Sequence, residues 1–212
     1  MAFAFPQTFQ DCDSNSRMDK SEDSPNRSLK EEEEDQEYEF NEEEEEYDDS
    51  KVFDWKFQSL VAKGSLSSIY LVKQTKTMVD AIAKVYQKST ITKKTFDIDP
   101  PIYVSVINEI DLMSSLKHPF IIPLIEVVDD SVTNTLILFM PYAPLGDLQS
   151  FVDNHNDPIQ EDTFRTCFLE LAEGMKYLHN NGVVHRDFKP ENVLVFSETK
   201  FVISDFSVSS RL

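Results

Sequence analysis

Charge is distributed very unevenly along this 212-residue chain, and that distribution decides where a fold can form. Residues 1–50 contain 19 acidic and 4 basic side chains, whereas residues 51–212 contain 20 acidic and 16 basic ones. A segment with so much like charge repels itself and has too little apolar surface to build a core. We therefore expect a disordered acidic tail over 1–50 and a folded part over 51–212, which is long enough for one domain or two small lobes.

Composition also excludes several classes of protein. A formal net charge of −19 argues against a nucleic-acid-binding surface, although the acidic tail is suited to docking a basic partner. The absence of an apolar stretch of about 18 residues argues against a membrane span, and the N-terminus lacks the features of a secretory signal. With only Cys12 and Cys167, no disulfide framework can form. We expect an intracellular protein, in the cytoplasm or alternatively the nucleus.

The first part of the folded region has the pattern of a small antiparallel sheet with one helix. Runs rich in β-branched and aromatic residues predict strands at 55–61, 68–73, 80–86, 121–128 and 136–140. Val106, Ile110 and Met113 recur at i, i+4 and i+7, which predicts a helix with Glu109 along its buried edge. Residues 53–143 are therefore predicted to form a first lobe.

The second part begins with an amphipathic pattern. Apolar residues in a 4-3-4-3 spacing predict a helix over residues 161–180 with one buried face: Phe164, Phe168, Leu171, Met175 and Leu178. Asn180-Asn181-Gly182 should end this helix. Short apolar runs then predict strands at 183–184, 193–196 and 201–203.

A polar octapeptide interrupts these short strands. It reads His185-Arg186-Asp187-Phe188-Lys189-Pro190-Glu191-Asn192, and Asp205-Phe206-Ser207 begins thirteen residues after Asn192. These residues resemble the signature of the eukaryotic protein kinase family, in which H-R-D precedes an Asn and a later D-F-G. The family's strand lysine and helix glutamate also have counterparts, Lys84 and Glu109. The resemblance implies an α+β, two-lobe protein-kinase-like fold, with an N-lobe over 53–143 and an incomplete, mostly helical C-lobe over 144–212.

The same resemblance implies an enzyme that transfers the γ-phosphate of ATP to protein hydroxyls with Mg²⁺ as cofactor. Asp187 and Lys189 match the catalytic positions, and Asn192 and Asp205 match the two metal ligands. Lys84 would hold the α- and β-phosphates of ATP while paired with Glu109. A lysine at position 189, two residues after the aspartate, is typical of kinases with Ser or Thr acceptors, so a protein substrate of that class is implied.

The resemblance further places ATP in a cleft whose apolar walls come from several strands. The implied ATP-binding residues besides Lys84 and Glu109 are Val61, Ala62, Gly64, Ile69, Ile82, Met140, Pro141, Ala143, Asp147 and Leu194. In this arrangement Met140 is the gatekeeper and Asp147 faces the ribose. The carbonyl of Pro141 and the N–H of Ala143 would face adenine, where proline loses only a donor that is not needed.

Two motifs depart from the family pattern. The phosphate-covering loop, expected as G-x-G-x-x-G, reads Ala62-Lys63-Gly64-Ser65-Leu66-Ser67 and keeps only the middle glycine, and Ser207 replaces the glycine of D-F-G. Restricted backbone freedom predicts weaker or slower use of ATP. This leaves open an alternative, a truncated kinase-like (pseudokinase) nucleotide-binding or interaction module without efficient phosphotransfer.

The resemblance stops at Leu212, before the A-P-E segment and the helices that bind a peptide substrate in this family. We expect either a fragment of a longer kinase or a natural truncation. In both cases we expect the helix over 161–180 to expose apolar side chains that later helices would cover. Within the family, residues 109–119 and 205–209 and the insertion at 92–105 look similar to the calmodulin-dependent kinase group.

Overall fold

The computed structural model describes residues 54–93, 101–154 and 159–212. The predicted acidic tail, residues 1–50, lies outside the described residues, as does Phe53 at the predicted start of the first lobe. Within the described ranges, no helix is both long enough and apolar enough to cross a membrane.

A five-stranded antiparallel sheet forms the first lobe. Its strands are β1 (Trp55–Lys63), β2 (Ser67–Gln74), β3 (Asp80–Gln87), β4 (Glu126–Asp130) and β5 (Thr135–Pro141). They lie in the order β1-β2-β3-β5-β4, so β3 is central. Every pairing is antiparallel: β1 with β2, β2 with β3 and β4 with β5 are consecutive in the chain, whereas β3 pairs with β5 across a longer connection.

The two faces of β3 bury different residues because side chains alternate along a strand. Ala81, Ala83 and Val85 belong to a buried cluster on one face. Trp55 closes this cluster: its indole ring stacks on Phe139 with centroids 4.6 Å apart, and its N–H donates to Glu126 at 2.8 Å. Lys84 and Tyr86 therefore point to the opposite face.

Two helices follow β3 in the chain, α1 (Lys88–Ile91) and α2 (Ile102–Ser115). The second begins directly after Pro101 and ends where Leu116 adopts an extended backbone. Val106 and Ile110 of α2 pack with Tyr86 in a second buried cluster. The helix thus covers the face of the sheet that carries Lys84.

The second lobe contains two helices and two small sheets. The helices are α3 (Leu148–Asp153) and α4 (Glu161–Asn180), and the strands are β6 (Val183–Val184), β7 (Val193–Ser197), β8 (Lys200–Ile203) and β9 (Ser210–Arg211). Strand β6 pairs with β9 and β7 with β8, and a 3-10 turn covers Pro190–Asn192. The predicted α+β fold with a five-stranded sheet, one main helix and a partial helical C-lobe is confirmed.

Helix α4 lies close to β8 and to Phe120 in the segment between α2 and β4. A Cβ atom on Gly174 would come within 2.9 Å of the Ile203 side chain and 3.2 Å of the Phe120 carbonyl oxygen, so only glycine fits without a shift. The helix ends before Gly182, whose φ of +66° is the left-handed conformation common just after helices.

Two details of the predicted fold are wrong. The strand predicted over 121–128 is not continuous: Ile121 forms an isolated bridge with Ile203, and β4 begins only at Glu126. Pro123 explains the break, since proline has no N–H to donate to a strand ladder. Instead, Ile122 donates to the Ile203 carbonyl and thereby joins the two lobes.

Helices α1 and α3 and strand β9 were not predicted.

The buried face of α4 also differs from the predicted one. Leu171 and Leu178 are buried as expected, but the stripe that contacts the core continues through Cys167 and Gly174. Phe168 is 71% exposed. The physical reason is that Cys167 and Gly174 are small, so α4 packs more closely against β8 on their side of the helix than it could on the side of Phe168.

Candidate active site

The central feature of the site is a buried ion pair between β3 and α2. The ammonium group of Lys84 lies 2.7 Å from Glu109 Oε1, and it is also 3.5 Å from Asp205 Oδ1. Burial alone would lower the pKa of Lys84, but the charges of Glu109 and Asp205 outweigh it and raise the pKa. Lys84 is therefore a fixed positive charge that faces both lobes.

Asp205 follows β8 in a strained backbone conformation. Its φ of +61° lies in the left-handed region, which is uncommon for a residue other than glycine. Next to it, Phe206 is fully buried in the main core together with Leu112 and Met113 of α2. The Ser207 N–H points to Asp205 Oδ1 at 3.4 Å. The carboxylate of Asp205 is thus anchored on one side by the core and on the other by a local turn.

The electrostatics of Asp205 favour its ionised form. Burial works to raise its pKa, but the charge of Lys84 and hydrogen bonds from Ser207 outweigh this and lower it. Ser207 itself is not among the described residues with positive φ, so a side chain is tolerated where the family has glycine. The serine supplies a backbone donor, as a glycine would, and its side chain adds a hydrogen bond that also lowers the pKa of Asp205.

The octapeptide places its polar groups around Asp187. The ammonium group of Lys189 lies 2.9 Å from Asp187 Oδ2, and the amide nitrogen of Asn192 donates to the same oxygen at 2.9 Å and to the Asp187 carbonyl at 2.8 Å. The hydrogen bond from Lys189 lowers the pKa of Asp187, and the same contact raises the pKa of Lys189. Asp187 is therefore held as a carboxylate.

His185, to which sequence analysis gave no role, connects this loop to the strand that precedes Asp205. It is buried, and its Nε2 lies 2.9 Å from the Ser204 carbonyl, to which it donates. Its own carbonyl accepts from the Ser209 hydroxyl at 3.0 Å. The sequence marked His185 as the first residue of the H-R-D motif, but the motif alone did not indicate these contacts.

Asn192 and Asp205 are brought together by the residue between β8 and the aspartate. Both the N–H and the hydroxyl of Ser204 donate to the Asn192 carbonyl, at 2.9 and 3.0 Å. Because the amide nitrogen of Asn192 is engaged by Asp187, its side-chain oxygen is left to act as a ligand. A carboxylate and an amide oxygen are the hard donors that Mg²⁺ prefers, so this pair fits a magnesium ion.

The residues implied in ATP binding lie on neighbouring strands around Lys84. Opposite pairs in the sheet are Ala62 with Ile69, Ile69 with Lys84, Ile82 with Met140, and Ala81 with Pro141. Val61 precedes Ala62 on β1, and Ala143 is buried just after β5. Leu194 on β7 forms an isolated bridge with Asp147, so these two implied positions of the second lobe are neighbours. The roles of these residues stay predictions.

Two of the implied positions have contacts that sequence analysis missed. Both oxygens of Asp147 accept hydrogen bonds from Ser150 at 2.8 Å, which makes Asp147 the N-cap of α3. The N–H of Gly64 donates to the Ser67 carbonyl at 2.9 Å and closes a tight turn between β1 and β2. An Asp-x-x-Ser spacing before a helix is a known cap signature and could have indicated the first of these.

The fold and this arrangement define the catalytic core of a protein kinase, with a lysine on the sheet, a glutamate on the main helix and an aspartate from each of two polar loops. The family model described as protein kinase domain matches residues 55–212, and the chain belongs to this family. The calmodulin-dependent subgroup stays a prediction.

Relatives within the family are named as serine/threonine kinases. The chain is 30% identical over 159 residues to the serine/threonine-protein kinase PLK4 of Xenopus tropicalis, covering 75% of this chain and 16% of that protein. It is also 30% identical over 159 residues to the human 3-phosphoinositide-dependent protein kinase 1, covering 75% of this chain and 27% of the relative. The chain thus spans little more than a quarter of these relatives at most.

Proposed function

We propose that this chain carries the nucleotide-binding and catalytic residues of a protein kinase that transfers the γ-phosphate of ATP to Ser or Thr hydroxyls of protein substrates. The observation that carries the proposal is the contact of Lys84 with both Glu109 and Asp205. An ammonium group held between two carboxylates of different elements lies where phosphate oxygens and a metal ion would meet. The serine/threonine class of its relatives and the lysine at position 189 support the choice of acceptor.

The binding step depends on opposite charges. Lys84 supplies a positive charge and three donors for phosphate oxygens, and Glu109 fixes the direction of its side chain. Asn192 and Asp205 would hold Mg²⁺, which when bound neutralises charge on the phosphates. The low pKa of Asp205 keeps this ligand ionised at neutral pH.

The transfer step depends on Asp187 and Lys189. The acceptor hydroxyl oxygen bonds to the γ-phosphorus, the bond from that phosphorus to the bridging oxygen of ADP breaks, and the hydroxyl proton passes to Asp187. Lys189, 2.9 Å from Asp187, lies where it can donate to the oxygens of the transferred group. Because phosphoryl transfer needs little covalent help, positioning and charge are the main contributions of the protein.

One observation favours the second candidate function, a nucleotide-binding or interaction module without efficient transfer. The N–H of Gly64 is already bonded to the Ser67 carbonyl, so this amide does not face the cleft. The loop must open that turn before Gly64 can donate to a phosphate. The altered loop therefore slows transfer, and it does not remove any of the residues that perform it.

The two functions are separated by transfer of labelled γ-phosphate from ATP to Ser, Thr and Tyr peptides, measured beside Mg·ATP binding. Asp187→Asn should bind Mg·ATP like the parent chain but lose transfer by about 100-fold or more. Asp153→Asn is the matched control, since this exposed aspartate on α3 accepts a hydrogen bond from Gln149 on the same helix and lies outside the candidate site. Transfer to Tyr alone would contradict the acceptor class, and binding without any transfer would favour the second function.

We also propose an intracellular location, in the cytoplasm or alternatively the nucleus, and a basic protein partner for the acidic tail. Both proposals rest on composition: residues 1–50 concentrate acidic charge, and the chain has only two cysteines. Salt-sensitive binding of a basic peptide to the full chain, lost on removal of residues 1–50, would test the second.

A further inference from the structure

The carboxylate of Glu109 has a second donor besides Lys84. The hydroxyl of Tyr86 donates to Glu109 Oε2 at 2.7 Å, while Lys84 donates to Oε1 at the same distance. Tyr86 is 3% exposed and Glu109 is 1% exposed, so neither group reaches water. The ion pair is therefore a three-residue cluster, Lys84, Tyr86 and Glu109, in which each carboxylate oxygen has its own donor.

Sequence and packing together aim the tyrosine at this carboxylate. Tyr86 lies two residues after Lys84 on β3, so both side chains leave the same face of the strand. The ring of Tyr86 packs with Val106 and Ile110, one turn of α2 before Glu109 and the residue directly after it. The hydroxyl thus bonds to the same helix that the ring packs against.

A buried carboxylate needs all of its hydrogen bonds. If only Lys84 donated, one oxygen of Glu109 would be without a partner in a dry environment, which is costly for a charged group. An outward rotation of α2 would relieve this cost by bringing the carboxylate to water. Because Tyr86 on the sheet donates to the second oxygen, the buried carboxylate has both hydrogen bonds, which favours the inward position of the helix.

We propose that Tyr86 is a positioning residue that holds α2 inward through the second oxygen of Glu109, so that Lys84 stays directed at the nucleotide. This rests on the proposed function insofar as the inward helix serves ATP binding. The pKa of Tyr86 is raised above its ordinary value, first because burial disfavours the phenolate, so the hydroxyl keeps its proton and donates across the physiological range.

The test compares two tyrosine-to-phenylalanine variants of the full chain. Tyr86→Phe removes one oxygen and keeps the ring in its cluster, whereas Tyr103→Phe makes the same change at an exposed position of α2 itself. Backbone amide exchange of residues 102–115 is measured without nucleotide, and affinity for Mg·ATP is measured separately. Loss of a hydrogen bond to a charged group corresponds to roughly a tenfold change in the equilibrium between the inward and outward positions of α2. We expect about tenfold faster exchange in α2 and a several-fold weaker affinity in Tyr86→Phe, with Tyr103→Phe within twofold of the parent chain.

A double-variant comparison separates positioning from packing. In a Glu109→Gln background the carboxylate is gone, so the further change Tyr86→Phe should have less than half of its effect on exchange. A purely structural role of the ring would leave the effect the same in both backgrounds. Unchanged exchange in Tyr86→Phe, or an equal effect with and without Glu109, overturns the proposal. Because exchange is measured without nucleotide, a parent chain that fails to bind Mg·ATP refutes the proposed function and leaves this result decisive for Tyr86.

Discussion

Replacing Lys84 by methionine should reveal how much of the stability of the first lobe depends on its buried ion pair. Methionine fills a similar volume but removes the ammonium group that pairs with Glu109, whose side chain is almost completely buried. The hydroxyl of Tyr86 would then be the remaining donor to that carboxylate. The variant therefore contains a buried negative charge without a compensating positive one.

The expected cost follows from the burial of the pair. Removing one partner of a buried ion pair costs about 3–5 kcal/mol, because the other charge is left without compensation. We therefore expect Lys84→Met to lower the free energy of unfolding by about 3–5 kcal/mol at pH 7.

Urea unfolding followed by Trp55 fluorescence provides the assay, since Trp55 is the only tryptophan and is buried in the same lobe. Lys73→Met is the matched control on the adjacent strand. Lys73 pairs with Asp80 at 2.5 Å, but the Asp80 side chain is 42% exposed, so this change should cost below about 1 kcal/mol. Equal losses in the two variants would refute the reasoning.

Three further predictions follow from the site and its surroundings. Lys189→Met should move the acid limb of the kcat profile to higher pH, because the hydrogen bond from Lys189 lowers the pKa of Asp187; kcat measured from pH 4 to 8 checks this, and an unmoved limb would contradict it. Gly174→Val should cost at least about 1–3 kcal/mol in urea unfolding, because the carbonyl oxygen of Phe120 cannot move aside as a side chain would. Residues 51–212 expressed alone should scatter more light than the full chain and bind more of a hydrophobic dye, since Phe168 is exposed and the tail's charge is lost; a monomeric tailless chain without dye binding argues against this.

Much of the fold follows from short-range patterns in the sequence. The predicted helix over 161–180 agrees with α4, because acidic residues begin it and Gly182 follows its end. Its buried face was harder to predict, because periodicity shows only where large apolar side chains recur along the helix. At Gly174 the contact with β8 requires the absence of a side chain, and a hydrophobic pattern does not register such a position.

In the candidate site, too, local contacts could be predicted from the sequence and long-range contacts could not. Asp187 and Asn192 are five residues apart around one 3-10 turn, so their proximity follows from the local sequence. The contacts among Lys84, Glu109 and Asp205 join three distant segments. Only the resemblance to a family indicated the pair of Lys84 with Glu109, and the contact of Lys84 with Asp205 was not predicted. Tyr86 was missed because a tyrosine in a strand usually packs by its ring, and a pattern of apolar residues does not show where its hydroxyl bonds.

The sheet order has a consequence for how the chain folds. Strands β1, β2 and β3 are joined by short turns, but Gln87 at the end of β3 pairs with Thr135, 48 positions later. Closing a loop of that length costs about 2 kcal/mol more in chain entropy than closing the turn that pairs Lys63 with Ser68, by the logarithmic rule for flexible loops. The pair of Lys84 and Glu109 is 25 positions apart and Glu109 lies inside this loop, so the pair belongs to the part of the lobe that closes after the short turns of β1 to β3. Pulse-labelled exchange during refolding should accordingly protect the amides of β1 to β3 before those of β5, and simultaneous protection would argue for a single concerted step.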